Sequence, residues 1–131
     1  MLNKKKTFLS EKEFDYILQN GESYLVEFKE KVNSSLSHEI TAFANASGGK
    51  IYLGVTDKGV VKGIEITNKL RSQIQDIANN CQPPVHIKLE EFKNILIVVV
   101  PEGENKPCQC SGGFFIRMGA NAQKNEPKSD C

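Results

Sequence analysis

The 131-residue sequence contains no tryptophan, and only Arg71 and Arg117 among its 17 basic residues are arginines. Aromatic residues make up 8%, which leaves few rings on which bases could stack. Two arginines are too few for a surface built on bidentate readout of phosphate or guanine. Charge of one sign is also missing. Seventeen basic side chains face 16 acidic ones, for a net charge of +1, which excludes a binder held by bulk charge but leaves room for a local basic patch. No apolar run approaches the ~20 residues of a membrane span; the longest, Ile95 to Val100, has the length of a strand. The basic opening Met1-Leu-Asn-Lys-Lys-Lys has no apolar segment behind it, so no signal peptide is expected. Four cysteines, Cys81, Cys108, Cys110 and Cys131, are too sparse for a disulfide framework and read as reduced thiols of a cytoplasmic protein. Gly48-Gly49-Lys50 is followed by isoleucine and lacks the upstream glycine of a P-loop, so ATP binding is not expected. No Gly-x-Ser-x-Gly elbow is present, and His38 and His86 have no evident nucleophile beside them.

What remains is the length and patterning of one α+β domain. Ser10-Glu-Lys-Glu13 is a capping box, and Phe14, Ile17 and Leu18 follow at helical spacing until Asn20-Gly21. Tyr24 to Lys29 alternates as a strand, with Tyr24, Val26 and Phe28 on one face and Leu25, Glu27 and Lys29 on the other. Asn33-Ser34-Ser35 offers an N-cap to a helix with Leu36, Ile40, Phe43 and Ala44 on one face, ended by Gly48-Gly49. Lys50 to Val55, the turn Asp57-Lys58-Gly59 and Val60 to Ile64 read as a hairpin. Thr67 or Asn68 caps a third helix that Pro83-Pro84 prevents from continuing. Val85 to Glu90 alternates as a half-exposed strand. Ile95 to Val100 is apolar on both faces and belongs in the middle of a sheet. Phe114 to Met118 is a last short strand, with irregular chain expected from Gly119 onward. The expected architecture is a mixed, mainly antiparallel sheet packed with about three helices. Residues 1–9 read as a flexible basic tail, 10–121 as the domain, and 122–131 as a tail or the start of a linker.

Two groups of side chains invite chemistry. Cys81, His86, Cys108 and Cys110 are zinc-ligand types, but Cys108-x-Cys110 lacks the usual two-residue gap, and zinc is not expected. Glu22, Glu27, Glu30 and Asp57 lie near the ends of expected strands. Three carboxylates converging on one point can hold Mg²⁺ or Mn²⁺, which activates water for phosphodiester cleavage, with Lys29 and Arg117 placed to neutralise the phosphate. There is a geometric obstacle. Glu22 and Glu27 are five residues apart, so a regular strand points them to opposite faces, and they converge only if the chain bends near Gly21–Tyr24.

Longer motifs carry a resemblance. Glu22-Ser-Tyr-Leu-Val-Glu27-Phe28-Lys29 is similar to the opening E-x-x-x-x-E-F-K of the Schlafen AlbA-like domain. The run Ala42-Phe43-Ala44-Asn45-Ala46-Ser47-Gly48-Gly49, continuing through Gly54-Val55-Thr56-Asp57, resembles that family's second signature, and Phe115-Ile116-Arg117-Met118-Gly119 its C-terminal F-x-R-x-G element. The resemblance spans about Glu22 to Asn121. It implies an α+β DNA-binding module of the kind that opens longer chains described as transcriptional regulators or RecG-like helicase relatives. The surface read for nucleic acid comprises Lys4–Lys6, Lys29, Lys31, Arg117 and Lys124. The animal Schlafens include RNA-cutting enzymes, and the resemblance maps their three-carboxylate site onto Glu22, Glu27 and Asp57. This second reading is a divalent-metal-dependent endoribonuclease. Those enzymes pair two lobes, so a single-lobe chain would need a homodimer. A third reading is an interaction domain that dimerises through an exposed sheet edge or the Phe114-Phe115 region. Fold kinship by itself transfers none of these activities.

Overall fold

The computed structural model describes residues 9–124; the lysines of residues 4–6, the end of the chain from residue 125 and Cys131 lie outside them. The capping box is present: Ser10 Oγ accepts from the Glu13 N–H at 3.1 Å and Glu13 Oε1 from the Ser10 N–H at 2.9 Å, opening α1 (Glu11–Asn20). Then follow β1 (Val26–Lys29), α2 (Leu36–Asn45), β2 (Gly49–Leu53), α3 (Asn68–Asn79), β3 (Lys88–Phe92) and β4 (Ile95–Val100). The described residues close with β5 (Gln109–Cys110), β6 (Gly113–Met118) and β7 (Asn121–Lys124). Thr67 caps α3, its Oγ1 accepting from the Leu70 N–H at 3.0 Å.

Four strands form one sheet in the order β1-β2-β4-β3, with β1 parallel to β2 and the other pairs antiparallel. The apolar run of β4 is central, as its two-sided hydrophobicity predicts. Period-two alternation then builds two cores. Phe28, Tyr52, Ile95 and Ile97 face α1 and Phe14, with Phe14 tilted against Phe92 at 5.0 Å between ring centres. Ile51, Leu53, Leu96, Val98 and Val100 face α2 and α3, meeting Leu36, Ile40, Phe43 and Ile74. No helix of the described residues is long and apolar enough to cross a membrane.

Three sequence expectations change. Residues 60–64 are not a return strand. Both edges of β2 are taken by β1 and β4, so the segment keeps one isolated bridge, Val55 to Val61, and Gly54 O accepts from the Lys62 and Gly63 N–H groups instead. The strand expected at Val85 to Glu90 begins at Lys88 and runs to Phe92, where it pairs with Ile95 across the Lys93-Asn94 turn. The chain after Gly119 is not irregular: Asn121–Lys124 is β7, antiparallel to β6, in a second sheet ordered β5-β6-β7 that packs on α2. Lys124 therefore belongs to the domain and not to a tail. β7 has no buried residue, so no hydrophobic pattern marks it.

Asn45 fastens the second sheet to α2. Its Nδ2 donates to the carbonyls of Cys108 and Phe115, both at 2.8 Å, and its Oδ1 accepts from the Cys108 N–H at 2.6 Å. Cys81, Cys108 and Cys110 are buried in the α2-side core with their Sγ atoms toward the carbonyls of Ile77, Pro83 and Gly113. Burial is the main cause raising the thiols of Cys81, to about 12, and of Cys108, so these two are inert thiols. His86 is exposed and stands apart from them as a ligand.

A polar cluster between β1, α2 and the second sheet

The chain does bend where the carboxylates require it. Ser23 and Val26 exchange backbone hydrogen bonds across a tight turn. The turn folds Glu22 back along β1, where its Oε2 accepts from the Phe28 N–H at 3.0 Å. Glu22 and Glu27 thereby come within hydrogen-bonding reach of one another. β1 is in register with β2, Glu27 opposite Ile51, so Glu27 rises on the α2 side of the sheet.

Arg117 meets it there from β6. The Arg117 side chain is 0% exposed. Its Nη1 donates to Glu27 Oε1 at 2.9 Å and to Glu39 Oε1 at 3.0 Å, and its Nη2 donates to Ser23 O at 2.7 Å. Its guanidinium lies 4.3 Å from the ring centre of Phe43. That ring occupies the space a Cβ on Gly49 would need, because such an atom would fall 2.3 Å from Phe43 Cε1. One arginine thus clamps the Glu22–Val26 turn, the Glu27 carboxylate and the first turns of α2. The planar fork of a guanidinium suits this multi-point role. Arg117 Nε has no partner among the described residues.

This overturns the reading of Arg117 as a phosphate contact. A fully buried guanidinium bound to two carboxylates presents nothing to a ligand. Arg71 is also engaged internally, with Glu91.

The third carboxylate of the cluster is Glu39, not Asp57. Asp57 is exposed in the Thr56–Val60 turn, held by Thr56, with Gly59 set closely against Leu18 O at the end of α1. Among the described residues no three His, Cys, Asp or Glu side chains are grouped to hold a metal ion. The set Glu22, Glu27 and Asp57 therefore does not fit a divalent ion. Two members converge, one of them is engaged by Arg117, and the third is elsewhere. Glu30 is exposed as well.

A signal for Glu39 exists in the sequence. It stands at i+3 from Leu36 and i+4 before Phe43, on the apolar stripe of α2, where a carboxylate has to find a partner.

The electrostatics follow from numbers. Glu22, Glu27 and Glu39 share two nearby cations, Arg117 and Lys29. The surplus carboxylate favours keeping a proton. Burial, then the charge of Glu39, raises Glu27 to about 8 despite Arg117. Burial also raises Glu39, against the opposing pull of Lys29 and Arg117.

Lysines surround this cluster. Lys29 Nζ donates to Ser35 Oγ at 2.6 Å, at the start of α2, and Ser35 in turn donates to Asn33 Oδ1 at 2.6 Å. Its hydroxyl is thus drawn away from capping α2, and no side-chain cap bond forms there. Lys31 is exposed on the connection that follows β1. Lys124, exposed at the end of β7, acts with Lys29 on His38. The structure therefore gathers Lys29 and Lys124, 95 residues apart in sequence, near the first turn of α2. Phe115 is 8% exposed and stacked on His38, so it is not an open dimerisation surface; its neighbour Phe114 is half-buried.

The sequence matches the family described as Schlafen, AlbA_2 over residues 22–126, most of its length, and the chain belongs to that family. Among solved structures it is similar to the N-terminal domain of a RecG-related ATP-dependent DNA helicase protein from Nitrosomonas europaea. That likeness has 24% identity and a TM-score of 0.58, and covers 90% of each chain. It is also similar to the DIP2311 protein from Corynebacterium diphtheriae, with 16% identity and a TM-score of 0.60, over 78% of this chain. The match spans 22% of the Corynebacterium chain. At these identities the two structures show a shared α+β fold. No curated protein matches the sequence.

Proposed function

We propose that this Schlafen AlbA_2 domain is a nucleic-acid-binding module that holds the phosphate backbone through Lys29, Lys31 and Lys124. The observation that carries this reading is that Lys29 of β1 reaches Ser35 at the start of α2, while Lys124 of β7 lies against Gly113, next to the Gly112 that abuts His38. Family membership supports it, as does the likeness to a domain whose parent protein is described as related to a DNA helicase. In this reading the domain serves in the cytoplasm as the DNA-contacting piece of a longer regulator or helicase-related chain.

The carboxylates beside the lysines do not contradict it. Glu27 and Glu39 are paired with Arg117, and their raised pKa values reduce the negative charge they bring at neutral pH. The buried cluster shapes the β1 turn, and the lysines around it meet the ligand. Lysine is a point-charge donor, so phosphate contacts fix position without reading sequence. Binding should therefore be modest, tolerant of sequence and sensitive to salt.

The test is fluorescence anisotropy of a labelled oligonucleotide across a salt series. Lys29→Gln, Lys31→Gln and Lys124→Gln should each weaken binding and reduce the slope of log affinity against log salt by about 1. Lys88→Gln, on the edge strand β3, serves as the control and should change neither. Affinity that ignores salt, or three variants that behave like the control, would refute the proposal.

A further inference from the structure

We infer that the module takes single-stranded nucleic acid and stacks one base on the imidazole of His38. The inference rests on the nucleic-acid reading above and adds the form of the ligand. The rings of His38 and Phe115 lie parallel, 4.1 Å apart with an interplanar angle of 11°. Phe115 is the inner ring, buried in the α2-side core, and His38 is the outer one, only half-buried. A flat ring already supported from behind is a preformed stacking platform. Such a platform accepts any base, since every base has a π face.

Its surroundings place glycines and charge beside it. Gly112 sits so close that a Cβ there would fall 2.8 Å from His38 Nε2. The next residue, Gly113, lies against Lys124, whose Cε would be 3.0 Å from an added Cβ. The turn between β5 and β6 therefore borders the imidazole at Gly112, and the start of β6 borders Lys124 at Gly113. On the other side, His38 N–H donates to Ser35 O at 3.0 Å, and Ser35 Oγ holds the Lys29 ammonium. The ring nitrogens of His38 make no hydrogen bond among the described residues, so its ring is not tied to a structural partner. Burial, Lys29 and Lys124 each favour the neutral imidazole, and what the ring offers is its apolar face. An aromatic face bordered by two ammonium groups matches a base with its flanking phosphates. In a duplex the faces of each base are already covered by the neighbouring base pairs, so the platform has no base face to take.

The test uses the chain with three probes of equal length: a single strand carrying a fluorescent adenine analogue, a duplex hairpin, and a strand of abasic phosphodiesters. The single strand should bind more tightly than the hairpin, with quenching of the analogue on binding. His38→Ala should weaken single-strand binding by about 5- to 150-fold. His38→Phe should restore it to within about twofold, because a phenyl ring keeps the π face. The abasic strand should bind wild type and His38→Ala alike. Equal single-strand affinity of wild type and His38→Ala, or tighter binding of the hairpin, would overturn the stacking inference while leaving the phosphate reading intact. Absence of salt-sensitive binding to all three probes would overturn both. If His38→Ala fails to fold, quenching with wild type and the behaviour of His38→Phe decide the question.

Discussion

The two faces of the four-stranded sheet are built from the same strands by opposite means. Toward α1 the interface is apolar and largely aromatic: Phe14, Phe28, Tyr52 and Phe92 around Ile95 and Ile97. Toward α2 the aliphatic core gives way beside β1 to three carboxylates and one buried arginine. The first face holds the sheet and can be repacked with any apolar side chains of suitable volume. The second uses a charge network that loses its balance when one member is removed. That network sets the turn in front of β1 and borders the lysines of the proposed interface. Function is expected on the face where polar groups have been buried at a cost in stability.

Breaking the polar face should have the largest effect. Arg117→Met leaves Glu27, Glu39 and the Ser23 carbonyl without their donor, and urea denaturation should show a loss of about 3–5 kcal/mol. Arg117→Lys should recover only part of it, since an ammonium cannot reproduce the fork. Next comes the link between α2 and the second sheet. Asn45→Ala removes three hydrogen bonds and should cost about 2–3 kcal/mol, read the same way. On the aromatic face Phe14→Leu should cost about 1–1.5 kcal/mol, through a smaller side chain and the loss of the ring contacts with Phe92 and Tyr52.

A pH dependence distinguishes the faces most sharply. Glu27 binds its proton more tightly in the folded protein, so between its ordinary value of 4.5 and about 8 the native state holds a proton the unfolded chain has lost. Stability contributed by the α2 face should therefore fall as pH rises through that window. His38, whose pKa is lowered, acts in the opposite direction below 6.5. The fall should be clearest between about 6.5 and 8. Glu27→Gln should flatten the dependence of the melting temperature on pH there, and Phe14→Leu should leave the slope unchanged. An equal slope in wild type and Glu27→Gln would show that Glu27 titrates as an ordinary carboxylate.

Local patterns carried much of this protein. The capping box at Ser10, the alternation that sends Phe28 and Glu27 to opposite faces, and the two-sided apolarity of Ile95–Val100 each follow from side-chain chemistry within a few residues. Chain-distant pairing decided the rest. Residues 60–64 have the composition of a strand, but the positions beside β2 are filled by strands from elsewhere in the chain. β7 has no apolar code and exists because β6 leaves an edge to pair. Arg117 looked like a phosphate ligand because charge is legible in a sequence and burial is not. Only the packing of β6 over α2 brought it to Glu27 and Glu39, at sequence separations of 90 and 78 residues, and left Asp57 outside in its turn.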